Sequence, residues 1–149
     1  MIRIRRSVAL LLVWIAFSAL PACGRECDPT VIDGWVRLPP VPMPMLAGFG
    51  RIENECSATP LIIVGASSPA FAEVSLHETR IVEGISRMRA VSELPVAAGR
   101  PATLQPGGLH LMLMQPRAPL RAGERVAIEF QLKDGGTLRG EFEVRGPGG

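Results

Sequence analysis

The chain has 149 residues, 16 of them basic and 14 acidic, for a net charge of +2. With 47% hydrophobic and 20% charged residues it has the composition of a folded globular chain and not of a disordered tail. Its 16 glycines and 14 prolines make up about a fifth of the sequence, which favours turns and short strands over long helices.

Arg3, Arg5 and Arg6 precede an apolar run, Val8 to Leu20. A helix of that length spans about 20 Å, against the roughly 30 Å of a bilayer core. A basic start, a short apolar segment and then small residues predict a secretory signal peptide over residues 1–22. Without those three arginines the chain has 13 basic against 14 acidic side chains, a net charge of −1. The basic balance therefore belongs to the leader, and no basic patch marks a nucleic-acid partner.

Leu20-Pro21-Ala22-Cys23 resembles the lipobox of bacterial lipoproteins, although Pro21 departs from the usual residue there. The resemblance implies a lipidated Cys23 heading the mature chain. Periplasmic localisation follows, with membrane contact only through that lipid. Ordinary cleavage nearby would give a soluble periplasmic protein instead. With Cys23 lipidated, Cys27 and Cys56 remain as an even pair, and an oxidising compartment makes them a candidate disulfide.

Residues 23–30 read as an arm, 31–145 as one β-domain and 146–149 as a frayed tail. Within the domain, nine short strands are expected: Ile32–Leu38, Gly48–Asn54, Leu61–Ala66, Glu73–Thr79, Ser86–Val91, Ala102–Leu104, Leu109–Gln115, Arg125–Leu132 and Thr137–Val144. Turn signals separate them, such as Gln105-Pro106-Gly107-Gly108 and Lys133-Asp134-Gly135-Gly136. The stretches Ala66–Phe71 and Val82–Ile85 have room for a helical turn. Alternation is clean in the last pair, where Val126, Ile128, Phe130 and Leu132 share one face, followed by Leu138, Phe142 and Val144. Short strands at regular spacing predict an all-β sandwich or small Greek-key barrel.

The chemistry concentrates in few residues. The two histidines are His77 and His110, and the internal methionines are Met43, Met45, Met88, Met112 and Met114. Ten residues separate His77 from Met88, twenty-one separate Met88 from His110, and one separates His110 from Met112. On a strand, His110 and Met112 leave the same face. Thioethers are soft and uncharged, so they suit Cu(I) and not zinc, magnesium or calcium. They also escape the disulfide formation that disables cysteine ligands outside the cytosol. Taken singly, each methionine reads as core filler and each histidine as a hydrogen-bonded structural residue. The full set is more specific, because it uses both histidines.

The spacing His77…Met88…His110-Leu111-Met112 is similar to the signature of the periplasmic copper chaperones called PCu(A)C. Flanking segments resemble that family too: Asp33-Gly34-Trp35-Val36-Arg37, Gly65-Ala66-Ser67-Ser68-Pro69, Ser75-Leu76-His77-Glu78 and Pro106-Gly107-Gly108-Leu109-His110-Leu111-Met112-Leu113-Met114. The likeness runs from about Val31 to Val144. It implies a cupredoxin-like β-barrel holding one Cu(I) through His77, Met88, His110 and Met112. It also implies a role in assembling the dinuclear copper centre of cytochrome c oxidase. The partners would then be the copper-site subunit of that oxidase, a Sco-type thiol protein, or both. Many members carry methionine immediately after the first histidine; Glu78 stands there in this chain, which removes a fifth methionine contact.

Other features have two readings each. Met43 and Met45, in Pro42-Met43-Pro44-Met45, either aim a thioether at metal or partner or cover the barrel end. Met114 either packs or joins the metal. Arg87 and Arg89 flank Met88 and either steer an acidic docking surface or are simply solvated. An electron-transfer cupredoxin needs a thiolate with two histidines, and no cysteine follows Cys56. General periplasmic copper tolerance or storage, and an immunoglobulin-like scaffold lipoprotein without metal, are the remaining alternatives. An enzyme is not expected, since Ser75, His77 and Glu78 sit too close on one strand to form a triad.

Overall fold

A computed structural model describes residues 28–55 and 59–147. The leader over 1–22 and Cys23, Cys27 and Cys56, with the lipid and disulfide expected of them, lie outside the described residues.

The two-residue period of the last hairpin sets the inside of the molecule. In β9 (Arg125–Leu132) Val126, Ile128 and Phe130 are buried, and in β10 (Thr137–Arg145) Leu138, Phe142 and Val144 join them. Buried residues recur at alternate positions over parts of β2 (Met45–Glu53), β4 (Phe71–Val82) and β8 (Leu109–Pro116), while β1 (Thr30–Arg37) and β3 (Leu61–Ser67) each bury a single side chain. Val36, Leu46, Ile52, Ile63, Val74, Leu76, Leu111 and Leu113 from these strands complete one core.

Hydrogen-bonded neighbours run β4-β8-β2-β1-β10-β9-β3, and the Ala66↔Val74 pair between β3 and β4 closes the ring. The result is a seven-stranded barrel, antiparallel except for the β1–β10 pair. Three short strands hang on it. β5 (Ile85–Ala90) extends β4, β6 (Leu94–Val96) extends β3, and β7 (Ala102–Leu104) pairs with β2. Among the described residues there is no helix, and the cupredoxin-like all-β expectation holds.

Three local readings need correction. β6 is a tenth strand, passed over because Pro95 interrupts Leu94 and Val96; its edge position tolerates the missing N–H. The buried Asn54 amide donates to Val96 O at 3.0 Å and helps hold it. The Ala66–Phe71 stretch contains a tight turn after Ser67, not helix. Val82–Ile85 is likewise a two-residue hairpin turn. Glu83 (φ 53°) and Gly84 (φ 76°) both take the left-handed conformation that the strand twist favours at such turns.

Two close approaches set the wall's geometry. A Cβ on Gly140 would lie 2.8 Å from Val31 Cβ, so this inward position of β10 admits only glycine. In β1, the β1–β2 register shifts between Ile32 and Trp35, where Asp33 has φ 52°. Beyond that irregularity Val36 is buried in the core, while Trp35 and Arg37 lie on the outside.

Candidate metal centre

Residues paired across a ladder project to the same side of a sheet. Leu76, Leu111 and Leu113 point into the barrel, so Ser75, His77, His110 and Met112 stand on its outer wall. His77 lies directly opposite His110, and Ser75 directly opposite Met112. On the other side of β4, Ala90 faces His77 and Met88 faces Thr79. All four expected ligands therefore share one outer face of the β5-β4-β8 wall.

Their spacing within that face is uneven. The imidazole rings of His77 and His110 have centres 6.2 Å apart, tilted by 36°. Two imidazoles that share an ion at the metal–nitrogen distance of about 2 Å have ring centres about 6.4 Å apart at most, when the two nitrogens lie on opposite sides of the ion. The histidine pair fits that limit. Met112 and Met88 occupy opposite diagonals of His77, one on each flanking strand. Met112 is half-buried beside Ala47, whose small side chain leaves room. Met88 is 54% exposed on the edge strand, the outlying member of the set.

The hydrogen bonds around the rings orient them. His110 Nδ1 donates to Gly108 O at 2.9 Å, which leaves Nε2 as its lone-pair donor. Ser75 Oγ lies 3.1 Å from His77 Nε2. His110 is only 8% exposed although it faces outward. Burial lowers the His77 pKa from its ordinary value, repulsion from His110 adds to the effect, and the Glu73 carboxylate opposes it. A neutral imidazole, the form that binds a metal, is thus favoured at position 77.

Ser75 and Gly108 were not anticipated as part of the site. The signal for Ser75 was available, since a residue two before His77 on a strand shares its face. Gly108 acts through its backbone carbonyl, which side-chain chemistry does not reveal.

Glu78 points away from the site. Its carboxylate accepts from Arg80 Nη2 at 2.9 Å and from Arg89 Nη2 at 2.7 Å, and those bonds, Arg80 first, hold its pKa below the usual carboxylate range. Arg89 is consequently engaged with Glu78, on the face opposite Met88. Further along the outer wall, Trp35 packs against Phe49 with ring centres 4.6 Å apart, and the Arg37 guanidinium lies over both rings. Among the described residues, no group of three or more His, Cys, Asp or Glu side chains is placed to hold a metal ion.

The family model described as "Putative lipoprotein LpqE-like" matches residues 30–144. The chain belongs to the LpqE-like family. A relative from Leifsonia xyli subsp. xyli (strain CTCB07), named "Putative lipoprotein Lxx21020", is 36% identical over 139 residues, 88% of this chain and 82% of its own length. The solution structure of CuI-DR1885 from Deinococcus radiodurans is 31% identical, with a TM-score of 0.63 over 83% of each chain. The copper-bound PCuAC domain from PmoF2 has a TM-score of 0.64 at 17% identity, covering 80% of this chain and 93% of that one. At that identity the likeness is one of fold alone. The PCu(A)C resemblance drawn from the motifs is matched in the architecture.

Proposed function

We propose that this LpqE-like protein is an envelope copper chaperone that holds one Cu(I) between His77 and His110, with Met112 and Met88 completing the site. The observation that carries the reading is the facing histidine pair, with a methionine on each diagonal of one outer wall. The copper named with DR1885 and with the PmoF2 domain supports it.

Four neutral donors suit the cargo. Imidazole and thioether match a soft monovalent cation, and none of them requires a redox step or a carboxylate. The donors also differ in how easily they exchange. His110 is buried and tied to Gly108, whereas Met88 is exposed on a strand with a free edge. A partner's ligand can therefore enter as Met88 leaves, while the histidines keep their hold. Exchange at one labile donor lets tight binding and fast delivery coexist.

The destination we propose is the dinuclear copper centre of cytochrome c oxidase, reached directly or through a Sco-type thiol protein. The lipoprotein names of the family and of the Leifsonia relative support an envelope location. Copper stoichiometry by elemental analysis, with X-ray absorption to identify the ligands, tests the site. One Cu(I) with mixed nitrogen and sulfur donors is expected; an all-nitrogen shell would overturn it. Deleting the gene separates delivery from storage. Delivery predicts lost oxidase activity at limiting copper, whereas sensitivity only to excess copper indicates storage.

A further inference from the structure

Among the described residues, the buried core contains valine, leucine, isoleucine and phenylalanine but no methionine. Met43 is 48% exposed, Met45 is 39% exposed, and Met114 is half-buried. A flexible side chain recruited to fill core gaps belongs inside, where burial stabilises. These three do not follow that logic.

Register places them beside the histidine site. Met114 follows Met112 by two residues on β8, about 7 Å along the same face. Directly across from Met114 stands Met45 on β2, and on its other side stands Glu73 on β4. One row of the outer wall thus reads carboxylate, thioether, thioether.

The backbone also fixes this row. Gln115, immediately after Met114, takes φ 50°, a left-handed conformation costly for a non-glycine residue. Its N–H donates to Pro44 O at 2.6 Å, tying the end of β8 to the segment that carries Met43 and Met45. Pro42 and Pro44 on either side of Met43 restrict that segment further.

We propose that Met45 and Met114, with the Glu73 carboxylate alongside, form a second and weaker site for a soft monovalent cation. The identity of the cargo rests on the Cu(I) reading above; the placement of the second site does not. Met112, adjacent to both sites, serves as the shared donor through which an ion passes between them. Thioethers exclude hard cations from this row, and the carboxylate supplies the negative charge that the four-donor site lacks.

Ag(I), a soft monovalent probe that resists air oxidation, tests the proposal. The full chain, labelled at its methionine methyl groups with carbon-13, is titrated with silver nitrate and followed by NMR. The first equivalent should shift Met88 and Met112, and the second should shift Met45 and Met114. In a Met45→Leu, Met114→Leu double variant the second step should vanish while the first persists. Met45 and Met114 signals unmoved through two equivalents would overturn the second site and leave the histidine site intact. Persistence of the second step in the double variant would overturn it as well. Movement of Met45 and Met114 with Met88 and Met112 unmoved would uphold the second site but remove the first, and with it the shared-donor role of Met112.

Discussion

Ser75 and His77 leave β4 on the same side, and the serine hydroxyl lies 3.1 Å from the imidazole Nε2. Ser75 is also the direct cross-strand partner of Met112. It therefore separates one expected nitrogen donor from one expected sulfur donor and sets the angle of the ring. Partners of this kind typically change metal affinity by about 10–100-fold. Ser75→Ala should weaken Cu(I) binding within that range, read by competition with a chromophoric chelator. An unchanged competition curve would leave the serine with no part in the site.

His110→Ala should cost more than Ser75→Ala, exceeding about 100-fold, because it removes a ligand instead of its support. The same assay applies. Met88→Ala should also weaken binding, but its clearest effect should be on exchange, since Met88 is the exposed donor on the free edge. Stopped-flow transfer to a thiol acceptor should show altered kinetics in Met88→Ala. Transfer at the unaltered rate would contradict a leaving-ligand role.

The metal-free protein should show a pH signature at His77. Its pKa lies below the ordinary value of 6.5, chiefly because burial disfavours the imidazolium and secondly because His110 repels it. Below 6.5 the unfolded chain then binds more protons at this residue than the folded one. Its contribution to stability is full above 6.5 and declines as pH falls toward the folded value. NMR titration of the His77 ring proton checks this directly. A midpoint at or above 6.5 would contradict it.

Glu78→Met restores the residue that many PCu(A)C sequences have after the first histidine. Position 78 points to the opposite face from His77, where it meets Arg80 and Arg89. The substitution should therefore leave Cu(I) affinity within about twofold of the parent chain, since a side chain on the wrong face of a strand adds no donor. A marked gain in affinity would mean that the β4–β5 hairpin turns over when metal binds.

Gly140→Ala tests the barrel and not the site. The new methyl would lie 2.8 Å from Val31 Cβ, closer than real contacts of that kind. Overpacking of this kind costs about 1–3 kcal/mol. Chemical denaturation should show that loss, with copper stoichiometry unchanged in the fraction that folds.

Much of this molecule can be read from the chain itself, for identifiable reasons. Period-two alternation marks β9 and β10 and the core they build, because each inward residue except Gly140 is large and apolar. The same period predicts that His110 and Met112 share a face. It does not predict that His77 faces His110, since that depends on how β4 and β8 align across the thirty-two residues between the two histidines. β6 escapes notice because three residues with a central proline carry almost no periodic signal. The left-handed Asp33 and the closure of β3 on β4 are likewise products of tertiary packing, beyond what local propensity encodes.

Keeping methionine out of the core has a consequence for oxidative stress. Bleach or peroxide converts thioethers to sulfoxides, which are polar and bulkier and disrupt a protein whose interior depends on them. Here, among the described residues, the conversion would fall on methionines outside the buried core, so the barrel would survive the loss of the proposed soft donors. Damage would disarm the protein without denaturing it, and sulfoxide reduction would return it to service with no need to refold.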